Sequence, residues 1–130
     1  MTAEERKQYV AYRLASARKT FDAARILADN GFWNSAINRL YYALFYAVNA
    51  LLVKNEIETK SHSAIRAKFS QNYVKTGKFD KKYGKLLSEL FDWRQKGDYG
   101  NIYEYDENTV EPLFYPVAEM IDMIEKEIMA

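Results

Sequence analysis

Cysteine is absent from the chain, which excludes disulfides and thiolate metal sites and agrees with a reducing compartment. A single histidine, His62, is too few for a His-rich metal cluster, so neither a metal nor a cofactor is expected. Proline occurs twice and glycine five times in a chain that is 48% hydrophobic and 28% charged, a composition that excludes disordered and fibrous classes. No stretch approaches the roughly 18 consecutive apolar residues that crossing a membrane requires. The opening MTAEERKQYV has no apolar core of signal-peptide type. A cytoplasmic protein that does not engage a membrane is therefore expected. At 130 residues the chain reads as one domain, residues 1–130, able to bury roughly two-thirds of its unfolded surface in a single core.

Aromatics, by contrast, are plentiful at 15%, and eleven of them are tyrosines. The net charge of +1 hides an uneven distribution. From Lys60 to Lys85 eight basic residues stand against one acid, Asp80, whereas from Asp98 to Glu127 nine acids stand against Lys126. Such runs are read either as two solvated helix faces that attract each other or as a basic edge for phosphate.

Hydrophobic spacing is helical nearly throughout, and no segment alternates as a strand does. Val10, Leu14, Ala17, Phe21, Ala24 and Ala28 form one stripe that DNG at 29–31 stops. Trp33, Ile37, Leu40, Leu44, Ala47 and Leu51 form a second, with Asn34 or Ser35 as the expected cap and an end near Lys54. A short helix opening near Ser61 carries Ile65 and Phe69 until KTGK breaks it. A fourth holds Phe79, Tyr83, Leu86, Leu90 and Trp93, and Gly97 is expected to end it. For the last helix Thr109 or Asn108 is the expected cap, and Pro116 predicts a kink or a late start before Val117, Met120 or Ile121, Ile124 and Ile128 resume the stripe. Short loops between long amphipathic helices predict an all-α fold, an up-and-down four-helix bundle with one additional short helix.

The second helix carries more than a core helix needs. Opposite its stripe lie Asn38, Tyr42, Phe45 and Asn49, flanked by Arg39 and Tyr46. These residues either fill the bundle, hydrogen-bonding their polar tips internally, or line a homodimer seam or a cleft at that seam. A similar choice arises at WRQKGDYG, residues 93–100, which is either an ordinary helix end or a small polar site carried on one.

The run SAINRLYYALFYAVNALL (35–52), then KSHSAIRAKF (60–69), then FDWRQKGDYG (91–100) and an acidic last helix together resemble the small bacterial and archaeal HEPN-domain proteins, over roughly residues 10–128. The resemblance implies a helical bundle that dimerises. It also implies frequent pairing with a minimal nucleotidyltransferase antitoxin and, in many members, metal-independent RNase activity in toxin–antitoxin or defence systems. The catalytic signature of the family is an arginine followed five positions later by a histidine. Arg94 matches the first position, and Tyr99 stands at the second.

Arginine suits a phosphate because its planar fork binds bidentately and keeps its charge. Tyrosine suits proton transfer poorly, since free Tyr titrates near pH 10 and His near 6.5. Asp98 is placed either to accept a proton or to pair with Arg94. Arg94, Asp98 and Tyr99 are thus the candidate catalytic residues, and Arg94, Lys81, Lys82, Lys85 and His62 the candidate contacts to RNA or nucleotide phosphate. For His62 the alternatives are a capping or buried hydrogen bond and membership of a composite site with Arg94. Some HEPN toxins are silenced by adenylylation of a tyrosine two positions after the histidine, and Tyr99 offers a tyrosine at the histidine position itself.

Overall fold

The computed structural model describes residues 1–98 and 103–130 and the backbone of residue 99. Among them there is no strand, and four long helices carry the fold: α1 (Ala3–Asp29), α2 (Trp33–Lys54), α4 (Lys81–Tyr99) and α6 (Phe114–Met129). Two short ones, α3 (His62–Phe69) and α5 (Glu107–Val110), are attached to them. This is the expected all-α bundle.

Helix α1 starts on a capping box, in which Thr2 accepts from the Glu5 amide and the Glu5 carboxylate accepts from that of Thr2. It stops where expected, with Gly31 supplying a φ of 80°. Buried Ala17, Ala24 and Ala28 face a helix that itself buries Ala36, Ala43, Ala47 and Ala50, and residues this small let two backbones approach closely. Contact between α1 and α2 is the most extensive in the molecule.

Helix α2 is the axis of the bundle, touching α1, α4 and α6. It therefore buries Tyr41, Val48 and Leu52 as well as its predicted stripe from Ile37 to Leu51. That explains a correction to the sequence reading: α2 is long and apolar enough to cross a membrane, yet most of it is buried within the protein.

Several helix ends differ from expectation. No side chain caps α2, because Asn34 is engaged elsewhere. It accepts from the Tyr105 amide at 2.8 Å and donates to the Tyr103 carbonyl at 2.8 Å. Gly97 does not end α4, which continues through residue 99. Its missing side chain instead admits Tyr105, whose ring would meet an added Cβ at 3.2 Å. Gly100 lies outside the described residues.

After Phe69 the helix widens into a π-helical turn, Ser70–Val74, around the aromatic cluster of Phe69, Tyr73 and Phe79. Asp106, rather than Asn108 or Thr109, caps α5 by accepting from the Thr109 amide. A 3-10 turn at Glu111–Leu113 then delays α6, which places Pro116 in its first turn, where no amide donor is needed.

The acidic run meets cations on two sides. Lys78 pairs with Glu127 and Lys82 with Glu119, both at 3.4 Å, which is the mutual attraction of the two charged faces. Arg18 of α1 takes Asp122 and Glu125, and Arg25 takes Glu111. Exposed pairs of this kind stabilise little.

Candidate functional site

Arg94 is the one charged residue of the described chain in the buried class, 8% exposed. Its helical offset puts it on the face of α4 that carries Leu87, Leu90 and Phe91 towards α2. The guanidinium is held among rings, 5.1 Å from the centroid of Tyr41 and 5.6 Å from those of Tyr42 and Phe91. Asp98 lies one turn on, at 3.8 Å from Nη1, a charge contact too long for a hydrogen bond. Asp98 is itself held by Asn38, whose Nδ2 donates to Oδ2 at 2.8 Å. Asn38 Oδ1 accepts from Arg39 Nε and Nη2 at 2.9 and 2.6 Å. A chain of charge therefore runs from Arg39 through Asn38 and Asp98 to Arg94, beside an open cleft of about 520 Å³ lined by Asn34, Asn38, Arg39 and Asp98.

His62 joins this site from α3. Ser61 caps that helix, accepting from the Ala64 amide at 3.0 Å, which leaves the imidazole free. Its Nδ1 lies 2.8 Å from Tyr41 Oη, and its ring stacks on Phe45 at 4.3 Å and 26°. Burial, reinforced by the nearby Arg94 charge, holds His62 below its ordinary pKa, so the ring is neutral at pH 7. Burial pushes the Tyr41 phenol well above its ordinary value, with Arg94 and then Arg66 pulling it partly back. A protonated phenol and a neutral imidazole thus share one hydrogen. His62 thus makes a partly buried hydrogen bond, and its ring lies against Tyr41, Tyr42 and Phe91, the rings that also surround Arg94.

One turn past His62 stands Arg66, whose guanidinium lies 3.9 Å from the centroid of Phe91. The Nε atoms of Arg66 and Arg94 are buried and have no hydrogen-bond partner among the described residues. Each unsatisfied donor costs about 1–3 kcal/mol, offset in part by about 0.5–2 kcal/mol from the rings beneath. A bundle built for stability alone would replace such groups with apolar side chains. Tyr41, Arg66 and Phe91 were not singled out from sequence, although the offsets 41/45, 62/66 and 91/94 were there to show that each shares a helical face with a residue that was.

Other candidates fall elsewhere. Lys81, Lys82 and Lys85 lie on other faces of α4 and about 13–20 Å before Arg94 along its axis, at 1.5 Å per residue. Lys82 faces Glu119, and Lys85 lies 3.9 Å from Glu89. The structure does not bring them to the site. Arg94 is boxed by rings rather than projecting into the polar cleft. The side chain of Tyr99 lies outside the described residues.

The proposed seam residues Asn38, Arg39, Tyr42, Phe45, Tyr46 and Asn49 are all half-buried. Tyr42 packs on Arg94, and His62 covers Phe45. Asn49 accepts from Tyr9 Oη at 3.0 Å, and Arg13 sits 4.9 Å over the ring of Tyr46.

The protein-family model described as "HEPN domain" matches residues 10–128. A UPF0332 protein of Thermotoga maritima is 39% identical over 124 residues, covering 95% of this chain and 94% of its own. Two proteins of Methanocaldococcus jannaschii carry the names "Putative toxin MJ0142" and "Putative toxin MJ0605". The first is 31% identical over 117 residues, 90% of this chain and 80% of that one. The second is 29% identical over 112 residues, 86% and 83% respectively. With a match that runs from the first turns of α1 to the end of α6 and takes in both His62 and Arg94, the chain belongs to the HEPN-domain family.

Proposed function

We propose that this protein is a toxin-like member of its family that binds RNA phosphate at Arg94 and cleaves RNA slowly without a metal. One observation carries the reading: a guanidinium nine-tenths buried among Tyr41, Tyr42 and Phe91, with no carboxylate within hydrogen-bond reach. Cations isolated in this way bind anions strongly, because little water competes and the fork fits two phosphate oxygens. The names of the two archaeal relatives agree with a toxin.

In this reading His62 serves where the family's histidine position holds Tyr99. A neutral imidazole, held below its ordinary pKa by burial and Arg94, can take the proton of a ribose 2′-hydroxyl. The 2′-oxygen then bonds to phosphorus as the bond to the 5′-oxygen breaks, and that oxygen takes a proton from water, to which the imidazolium returns its own, giving a 2′,3′-cyclic phosphate and a 5′-hydroxyl end. Asp98, steadied by Asn38, orients Arg94. The half-exposed face from Asn38 to Asn49 is read as a seam with a second copy.

Incubating the protein with labelled single-stranded RNA in EDTA tests the function. Fragments ending in cyclic phosphate should accumulate with the wild-type protein and not with Arg94→Ala. RNA that is neither bound nor cut sinks the reading and leaves a subunit that holds a partner nucleotidyltransferase.

A further inference from the structure

We infer that Arg66 is a second phosphate-binding residue of the Arg94 site, so that an RNA phosphodiester is held between two guanidinium groups steadied by one phenylalanine ring; this rests on the RNA-binding reading above. The ring is Phe91, with the Arg66 guanidinium at 3.9 Å and that of Arg94 at 5.6 Å. Arg66 projects from α3 on the same face as His62, four residues earlier, so cation and imidazole reach α4 together. Tyr41 lies between them in electrostatic terms, since both arginines pull on its phenol.

Three features separate Arg66 from an ordinary surface arginine. Its Nε is sealed from solvent and has no partner among the described residues. No carboxylate of the described residues lies within ion-pair reach of Arg66, so its charge is not neutralised by them. Its guanidinium is fixed by stacking, and a fork fixed in advance loses less freedom on binding.

Charge then selects the ligand class. Within ion-pair reach of the two guanidinium groups, Asp98 removes one of the two positive charges of Arg66 and Arg94, and His62 is neutral at pH 7. The remainder matches the single negative charge of a phosphodiester and under-neutralises a phosphomonoester dianion.

Fluorescence anisotropy with a labelled single-stranded RNA, in EDTA and across a KCl series, tests this with wild-type protein, Arg66→Gln, Arg66→Lys and Arg94→Gln. Arg66→Gln should weaken binding about tenfold and lower the slope of log affinity against log salt by about 0.7, the share of one single-strand phosphate contact. Arg66→Lys, which keeps stem and charge, should retain the slope and recover part of the affinity. It also guards against a Gln variant that fails to fold. Unlabelled dinucleoside monophosphate should displace the RNA from wild-type protein at lower concentration than adenosine monophosphate does. Unchanged affinity and slope in Arg66→Gln, with binding still lost in Arg94→Gln, overturns the role of Arg66 alone. Stronger competition by the monoester overturns the phosphodiester assignment, and wild-type protein that ignores RNA removes the underlying reading as well.

Discussion

Tyr41 and His62 stand 21 residues apart in sequence and 2.8 Å apart in space, phenol oxygen to Nδ1, and that contact fastens α3 to the central helix. The burial of His62 at that contact makes folding sensitive to pH. His62 is harder to protonate in the folded protein than in the unfolded chain, because burial and then Arg94 disfavour its cation. Below the ordinary value of about 6.5 the unfolded state takes up the proton first, so stability is full above that pH and is lost as pH falls towards and through the folded value. The melting temperature should therefore drop between about pH 7 and pH 5, and His62→Gln should flatten that part of the profile. A wild-type curve that the substitution leaves unaltered would refute the assignment.

Arg94 separates stability from function. Arg94→Ala should weaken RNA binding by about 1.5–3 kcal/mol, the scale of a hydrogen bond to a charged group. Arg94→Met should weaken it as much while leaving the melting temperature unchanged or higher, since an apolar side chain of similar length removes a buried guanidinium whose Nε is unsatisfied. Calorimetry and anisotropy on the same preparations decide. If Arg94→Met melts several degrees lower with RNA affinity intact, the arginine is a structural element of the bundle.

Asn34 fastens the chain beyond residue 102 to the start of α2, through Tyr103 and Tyr105. Tyr105 in turn donates to the Trp93 carbonyl at 3.0 Å, on the turn that carries Arg94. Losing both Asn34 bonds in Asn34→Ala should cost about 1–2 kcal/mol, roughly 3–8 °C of melting temperature. RNA affinity should fall modestly at the same time, because the end of α4 loses its brace. Thermal melts of the variant within a degree of wild type would remove Asn34 from this role.

Periodicity made the four long helices readable, because each exposes a polar face to water and so leaves an apolar stripe in the sequence. Helix ends were harder to place. Asn34 has the chemistry of a cap but satisfies a distant loop, and Gly97 has the chemistry of a terminator but makes room for Tyr105. Both outcomes depend on contacts more than seven residues away, which local pattern does not carry. At the site, Arg94 and Asp98 stood out through one continuous motif and the family resemblance. His62, Tyr41 and Arg66 come from two further helices, and only the packing of α3 against α2 and α4 shows that they converge.

Pairing of two copies through α2 gives the last test. Tyr42 and Tyr46 are half-exposed, with ring centroids 6.0 Å apart, on a helix otherwise nearly covered. Tyrosine and arginine are both enriched at interface centres, and Arg39 lies 5.2 Å over Tyr42 and Arg13 4.9 Å over Tyr46. An isologous seam there would bring two Arg94 pockets to one groove, since Tyr42 touches the guanidinium on its inner side. Phe45 is the wrong residue to mutate, because its ring supports His62. The double substitution Tyr42→Glu and Tyr46→Glu should instead turn a micromolar dimer into a monomer in sedimentation velocity. Losing two anchors at about 2 kcal/mol each weakens association roughly a thousandfold. Because both side chains already meet solvent, the monomeric variant should still show the helical circular dichroism of the wild type. A wild-type protein that sediments as a monomer at tens of micromolar removes the seam.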